Sequence, residues 1–199
     1  MKYLSRLFYY LLIAMFSVTL LGCGDDDDDD DDDNGPDPTD IDEGTLVFTL
    51  DGDEISFDFV LGTLTDDSDV GGLGDGEFLS VGGTDQDASG ILSIGIIDEE
   101  MIQEQSYSLI DEESQEDFPT GAVFSYILLD EELGFTTVFV SSGSAAGNVT
   151  ITEIDRNDET VSGTFSGSLI RQELDADGNV TTSETSSITG GAFNKVPLI

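Results

Sequence analysis

The side chains that could do chemistry in this chain are almost all carboxylates. Its 199 residues include 44 Asp and Glu against 5 Lys and Arg, a single Cys, and neither His nor Trp. Without imidazole, the Ser-His-Asp and Cys-His arrangements and the usual zinc ligand sets cannot be assembled. Paired carboxylates of the glycosidase kind remain open on residue type alone. A catalytic acid, however, needs an apolar pocket to hold its proton near neutral pH, and no carboxylate stands out as buried in the sequence. The clusters Asp66-Asp67, Asp98-Glu99-Glu100, Asp111-Glu112-Glu113, Glu116-Asp117 and Asp130-Glu131-Glu132 fall mainly between apolar runs and read as loop and rim charges. Asp175-Ala176-Asp177-Gly178-Asn179 begins like a calcium loop, with oxygen ligands at alternate positions. An EF-hand loop would continue with glycine at its sixth position and a bidentate Glu at its twelfth, where this chain has Val180 and Ser186. The same residues join two strand-like runs, and Asp-Gly supplies the positive φ of a hairpin turn. A turn is the preferred reading there, and weak calcium association the alternative. GGLGDGE, residues 71–77, has neither the lysine of a P-loop nor a following helix, and reads as a flexible loop. The chain is therefore read as non-catalytic, with no catalytic, cofactor-binding or metal residues to assign.

One residue has a sharper chemical meaning. Lys2 and Arg6 precede an apolar run of 15 residues, LFYYLLIAMFSVTLL, which leads into Gly22 and Cys23. A bilayer-spanning helix needs about 20 residues, so this run has the length of a signal-peptide core. Leu20-Leu21-Gly22-Cys23 resembles the lipobox of bacterial lipoproteins. That resemblance implies alkylation of the Cys23 thiol by diacylglycerol, cleavage before it, and usually acylation of the new amino group. Two or more acyl chains hold a protein stably at a membrane that it does not span. Residues 1–22 are then a lipoprotein signal peptide and Cys23 the lipid attachment site, leaving the mature chain without a disulfide.

Residues 23–43 follow as a tether. From Gly24 onward it reads GDDDDDDDDDNGPDPTDIDE, with 13 Asp and Glu in 20 residues. Such a segment buries too little apolar surface to offset its ordering entropy and is expected to be disordered and extended. Acidic residues just after the cysteine are similar to the export signal of Bacteroidota-type lipoproteins. That likeness implies an outer-membrane protein displayed on the cell surface. Residues 44–199 carry 31 acidic residues against Arg156, Arg171 and Lys195, a net charge of −28. That charge excludes nucleic acid as a partner, because phosphate neutralisation requires clustered Lys and Arg. The same repulsion acts against anionic bilayers, so the membrane partner is reached through the lipid at Cys23.

The elements that must position everything else have a period of two. Leu46, Phe48 and Leu50 alternate, Asp51-Gly52-Asp53 turns the chain, and Ile55, Phe57 and Phe59 alternate again. Further strands are expected at 77–81, 91–97, 106–110, 122–129, 136–141, 148–154, 160–171, 180–189 and 192–198. In VSGTFSGSL, Val161, Gly163, Phe165, Gly167 and Leu169 share one face, whereas AVFSYILL is apolar on both faces and should lie centrally. Only residues 98–105 hint at a helix. The expected fold is all-β: a single antiparallel β-sandwich or barrel-like domain of about 9–11 strands over residues 44–199.

LDGDEISF, GNVTITEIDRNDETVSGTFSGSL and SITGGAFNKVPL together resemble a family of uncharacterised Bacteroidota envelope lipoproteins. The likeness is strongest over residues 147–152, 161–165 and 191–197 and thin over residues 61–119. It implies a β-rich envelope lipoprotein and brings no catalytic residues. The functional expectation is a surface-displayed interaction or structural module whose partner is an extracellular protein or polysaccharide. The alternative is a glycan-binding accessory lipoprotein. Sugar platforms usually stack on Trp or Tyr, and after Cys23 only Tyr107 and Tyr126 are present.

Overall fold

The computed structural model describes residues 37–66, 76–84, 90–110, 120–129, 136–141, 147–174 and 180–199. The strands are β1 (Leu46–Leu50), β2 (Asp53–Phe57), β3 (Phe59–Asp66), β4 (Glu77–Thr84), β5 (Gly90–Asp98), β6 (Ser106–Ser108), β7 (Gly121–Leu129), β8 (Thr136–Ser141), β9 (Gly147–Asp155), β10 (Thr160–Leu174) and β11 (Val180–Pro197). Their ladders are antiparallel, in the order β2-β1-β11-β10-β8-β7-β5-β4-β3, with β9 beside β10 and β6 beside β9. The sheet forks at β10, whose residues 160–167 pair with β9 and 169–174 with β8.

The two ends of this order, β2 and β3, are consecutive in the chain and separated only by Asp58. Beside them, Gly62 of β3 bridges Leu198 in parallel, and the Ile199 N–H donates to the Gly62 carbonyl at 3.0 Å. The result is a nearly closed antiparallel β-barrel. The chain is all-β, as expected, and its near closure removes most strand edges.

Alternation places the core. Phe48, Leu79, Val81, Leu92, Ile94, Phe124, Tyr126, Val149, Ile151, Phe165 and Phe193 are all buried. Phe48 sits among four rings: Phe57 at 6.1 Å, Phe124 at 6.3 Å, Tyr126 at 5.5 Å and Phe165 at 5.8 Å. Burying each such ring contributes about 1.5–3 kcal/mol, as does each Leu, Ile or Val buried around it. β7, apolar on both faces, does lie centrally between β5 and β8, with Ala122, Phe124 and Tyr126 turned inward.

The sequences SGTF and GGAF have a shared explanation. Gly163 of β10 pairs with Phe193 of β11, and Gly191 of β11 pairs with Phe165 of β10. A Cβ on Gly163 would lie 2.6 Å from the Phe193 ring, and one on Gly191 would lie 2.6 Å from the Phe165 ring. Each strand therefore offers a bare backbone position on which its neighbour's ring rests.

Four local readings change. Phe59, expected to continue the alternation of Ile55 and Phe57, instead opens β3 after a break at Asp58. The two strands expected at 180–189 and 192–198 are one, β11, because Gly190 at φ 58° forms a bulge rather than a turn. Residues 99–105, the hinted helix, form an irregular strap. Residues 37–43, read as the end of the tether, pack on the domain. A 3-10 turn at Pro38–Asp40 buries Pro38, Asn194 Nδ2 donates to the Ile41 carbonyl at 2.7 Å, and Lys195 pairs with Glu43.

Candidate functional site

Among the described residues, two carboxylates leave the surface. Glu77 opens β4 and Asp98 closes β5, and the antiparallel register sets them opposite each other. Glu77 continues the inward face of Leu79 and Val81, and Asp98 that of Ile94 and Ile96. They are consequently 5% and 7% exposed. Period-two alternation carried from the flanking strands would have found them, had Asp98 been counted with β5 rather than with the acidic loop after it.

Arg156, from the turn between β9 and β10, meets Glu77 end-on. Its Nη1 donates to Glu77 Oε1 at 2.7 Å and its Nη2 to Oε2 at 2.8 Å. This two-point geometry is the strongest that Arg and a carboxylate form. Asp155 shapes the turn that delivers Arg156. Its carboxylate accepts the Asn157 and Asp158 N–H groups at 2.8 and 3.0 Å. Those N–H groups, that of Asp158 first, hold its carboxyl below the ordinary range.

The ion pair also clamps the strap. Glu77 Oε2 accepts the Ile102 N–H at 2.7 Å, and Arg156 Nη2 donates to the Ile102 carbonyl at 3.0 Å. The Ile102 side chain is buried in the core. Tyr107, inside β6, holds the next turn of the strap: its hydroxyl accepts the Gln103 N–H at 2.9 Å and Gln105 Nε2 at 3.1 Å, and donates to the Gln103 carbonyl at 3.3 Å. Burial pushes the Tyr107 phenol above its ordinary value, outweighing the hydrogen bonds that act the other way. Asp98 accepts the Glu100 N–H at 3.0 Å, Gln105 Nε2 at 3.3 Å and the Thr120 hydroxyl at 3.4 Å. Glu77 Oε2 and both Asp98 oxygens thus hold residues 99–105 directly, and Glu77 Oε1 does so only through Arg156. The cluster is built as a fastener, with its acids turned to backbone and guanidinium donors.

The other candidate residues fare differently. Tyr107 and Tyr126 are buried, at 2% and 3% exposure, so neither offers a ring on which a sugar could stack. Cys23, the aspartate tract, residues 71–75 of the glycine-rich loop, Asp175-Ala176-Asp177-Gly178-Asn179, and the acidic clusters at 111–117 and 130–132 lie outside the described residues. Among the described residues no group of three or more Asp, Glu or Cys side chains could hold a metal ion, and no helix is long and apolar enough to cross a membrane.

No family model, curated protein or solved structure matches this chain. Any functional reading therefore rests on its own residues and on the geometry above.

Proposed function

We propose that this chain is a lipid-anchored protein of the cell envelope, held through Cys23 at the outer membrane and displayed at the cell surface, with a β domain that acts as a non-catalytic interaction or structural module. The observation that carries this reading is Leu20-Leu21-Gly22-Cys23 at the end of a 15-residue apolar run. The acidic tract behind it then serves as a self-repelling stalk, extending up to about 70 Å if fully stretched, and as an export address. The domain's buried acids fasten a strap, which accords with a module that presents a surface. Glycan recognition is the weaker reading, because the two tyrosines that could have formed a platform are inside the core.

The decisive measurement is metabolic labelling with a clickable fatty acid. Wild-type chain is expected to carry the label and Cys23→Ala to lose it. Label retained in Cys23→Ala would refute the anchor. A glycan array probed with the compact unit Asn34–Ile199 is expected to show no saturable binding, and saturable binding would replace the partner class proposed here.

A further inference from the structure

β11 outlasts the strand beside it. Residues 188–193 are covered by β1 on the edge away from β10. At Ser187 the cover is the turn after β1: the Asp51 N–H donates to the Ser187 carbonyl at 3.0 Å, and the Asp51 carboxylate accepts the Ser187 N–H at 2.8 Å. From there β11 runs on to Val180 with β10 on one side and, among the described residues, no strand on the other. In an antiparallel ladder, successive residues point their backbone groups to alternate edges. Ser187 points away from β10, and the register with β10 is unbroken over residues 182–188. Ser183 and Thr185 must then point the same way, each presenting an N–H and a carbonyl on the uncovered edge. Thr181, Ser183, Glu184 and Thr185 are exposed, and Val180 is 52% exposed.

Protein sheets normally guard such edges with charge, proline or brevity. β2 does so with Asp53 and Glu54 among its five residues. The edge of β11 over residues 180–186, VTTSETS, has one charge and is rich in β-branched residues, which favour pairing. An added antiparallel strand would continue the line of β1, with its N-terminal end beside Asp51, Asp53 and Glu54 and its middle beside Glu184. Arg171, across the ladder from Glu184, donates to Glu173 at 2.9 Å. A second copy of this acidic domain would meet repulsion at that site, whereas a cationic segment would be attracted.

We propose that the uncovered edge of β11, centred on Ser183 and Thr185, accepts an extended Lys- or Arg-bearing segment of a partner protein as an added antiparallel strand. The inference rests on the reading of the domain as an interaction module and names its surface and the chemistry of its partner.

The probe is a synthetic peptide, Lys-Lys-Thr-Val-Thr-Val-Thr, titrated into isotope-labelled Asn34–Ile199 and followed by amide shifts and hydrogen exchange. Saturable shifts and slowed exchange are expected at Ser183 and Thr185, weakening as salt is raised. A peptide with Glu in place of both Lys should not bind. Thr185→Pro removes one outward N–H while leaving the ladder to β10 intact, and should weaken binding roughly tenfold. Glu184→Lys, which alters no backbone group, should weaken it as well and covers the case in which the proline variant misfolds. No saturable binding, or binding unchanged in Glu184→Lys and in a folded Thr185→Pro, overturns the proposal. Binding mapped to another face refutes this edge but leaves the interaction-module reading standing, and that reading's anchor fails independently if Cys23→Ala keeps its lipid.

Discussion

Arg156→Met isolates what the strap clamp contributes. The substitution keeps an aliphatic stem and deletes the guanidinium. Glu77, 5% exposed, would lose two donors and keep only the Ile102 N–H, while the Ile102 carbonyl would lose its 3.0 Å donor. Removing one partner of a buried ion pair costs about 3–5 kcal/mol. Here the Arg156 side chain is 37% exposed, so water replaces part of what is lost, and the expected cost falls to about 2–3 kcal/mol. Against a total stability of about 5–15 kcal/mol, that is a large share and lowers Tm by about 5–10 °C. Urea unfolding of Asn34–Ile199, followed by circular dichroism, measures it. Glu77→Gln and the double variant complete a cycle whose coupling should exceed about 1 kcal/mol. A cost below about 0.5 kcal/mol for Arg156→Met, typical of a plain surface substitution, or a coupling near zero, would show that the pair does not clamp the strap.

Gly163→Ala places a Cβ 2.5 Å from the Thr150 carbonyl and 2.6 Å from the Phe193 ring, and should cost about 1–3 kcal/mol in the same assay; adding Phe193→Leu should restore only part, since the Thr150 clash is with backbone. The raised Tyr107 phenol gives a pH window: its neutral form is favoured by folding, so its contribution is complete below its unfolded value near 10 and is lost as pH rises through the higher folded value. Stability curves across that range should fall less steeply in Tyr107→Phe than in wild type, although the variant starts lower for lack of the Gln103 and Gln105 bonds. Sodium chloride should raise Tm by screening the −28 charge of residues 44–199; a flat or falling Tm would mean that the charges are already neutralised.

Strands with clean alternation were legible because their neighbours on both sides repeat the same period, as in Leu46, Phe48 and Leu50 or in Val161, Gly163 and Phe165. Taken alone, Gly190-Gly191 is a turn signal that divides β11 into two expected strands, and only the pairing of Gly191 with Phe165 makes it a bulge inside one strand. The hinted helix at 98–105 failed for the opposite reason: the run is held by contacts distant in sequence, from Glu77 and Arg156, which no local window contains. The buried carboxylates are hard to see in the sequence because charge is also a loop signal and competes with alternation at the end of a strand. Asp98 is the last inward position of β5 and the first residue of an acidic triplet, and packing decides between the two.

The three cations of residues 44–199 show how such an acidic chain is held together. Lys195 on β11 pairs with Glu43, tying residues 37–43 to the barrel; Arg156 pairs with Glu77 and ties down the strap; Arg171 pairs with Glu173 on the arm formed by β10 and β11. Two of the three thus sit where a segment lacking a regular ladder must be fixed, and where self-repulsion would otherwise favour its release. The same economy bears on the uncovered edge of β11. Its own charge is Glu184, Arg171 across the ladder is directed to Glu173, and the turn at its end with the start of β2 bears Asp51, Asp53 and Glu54. A strand that completes this edge must therefore bring its own cations, which makes charge the first filter on what can bind and backbone pairing the second.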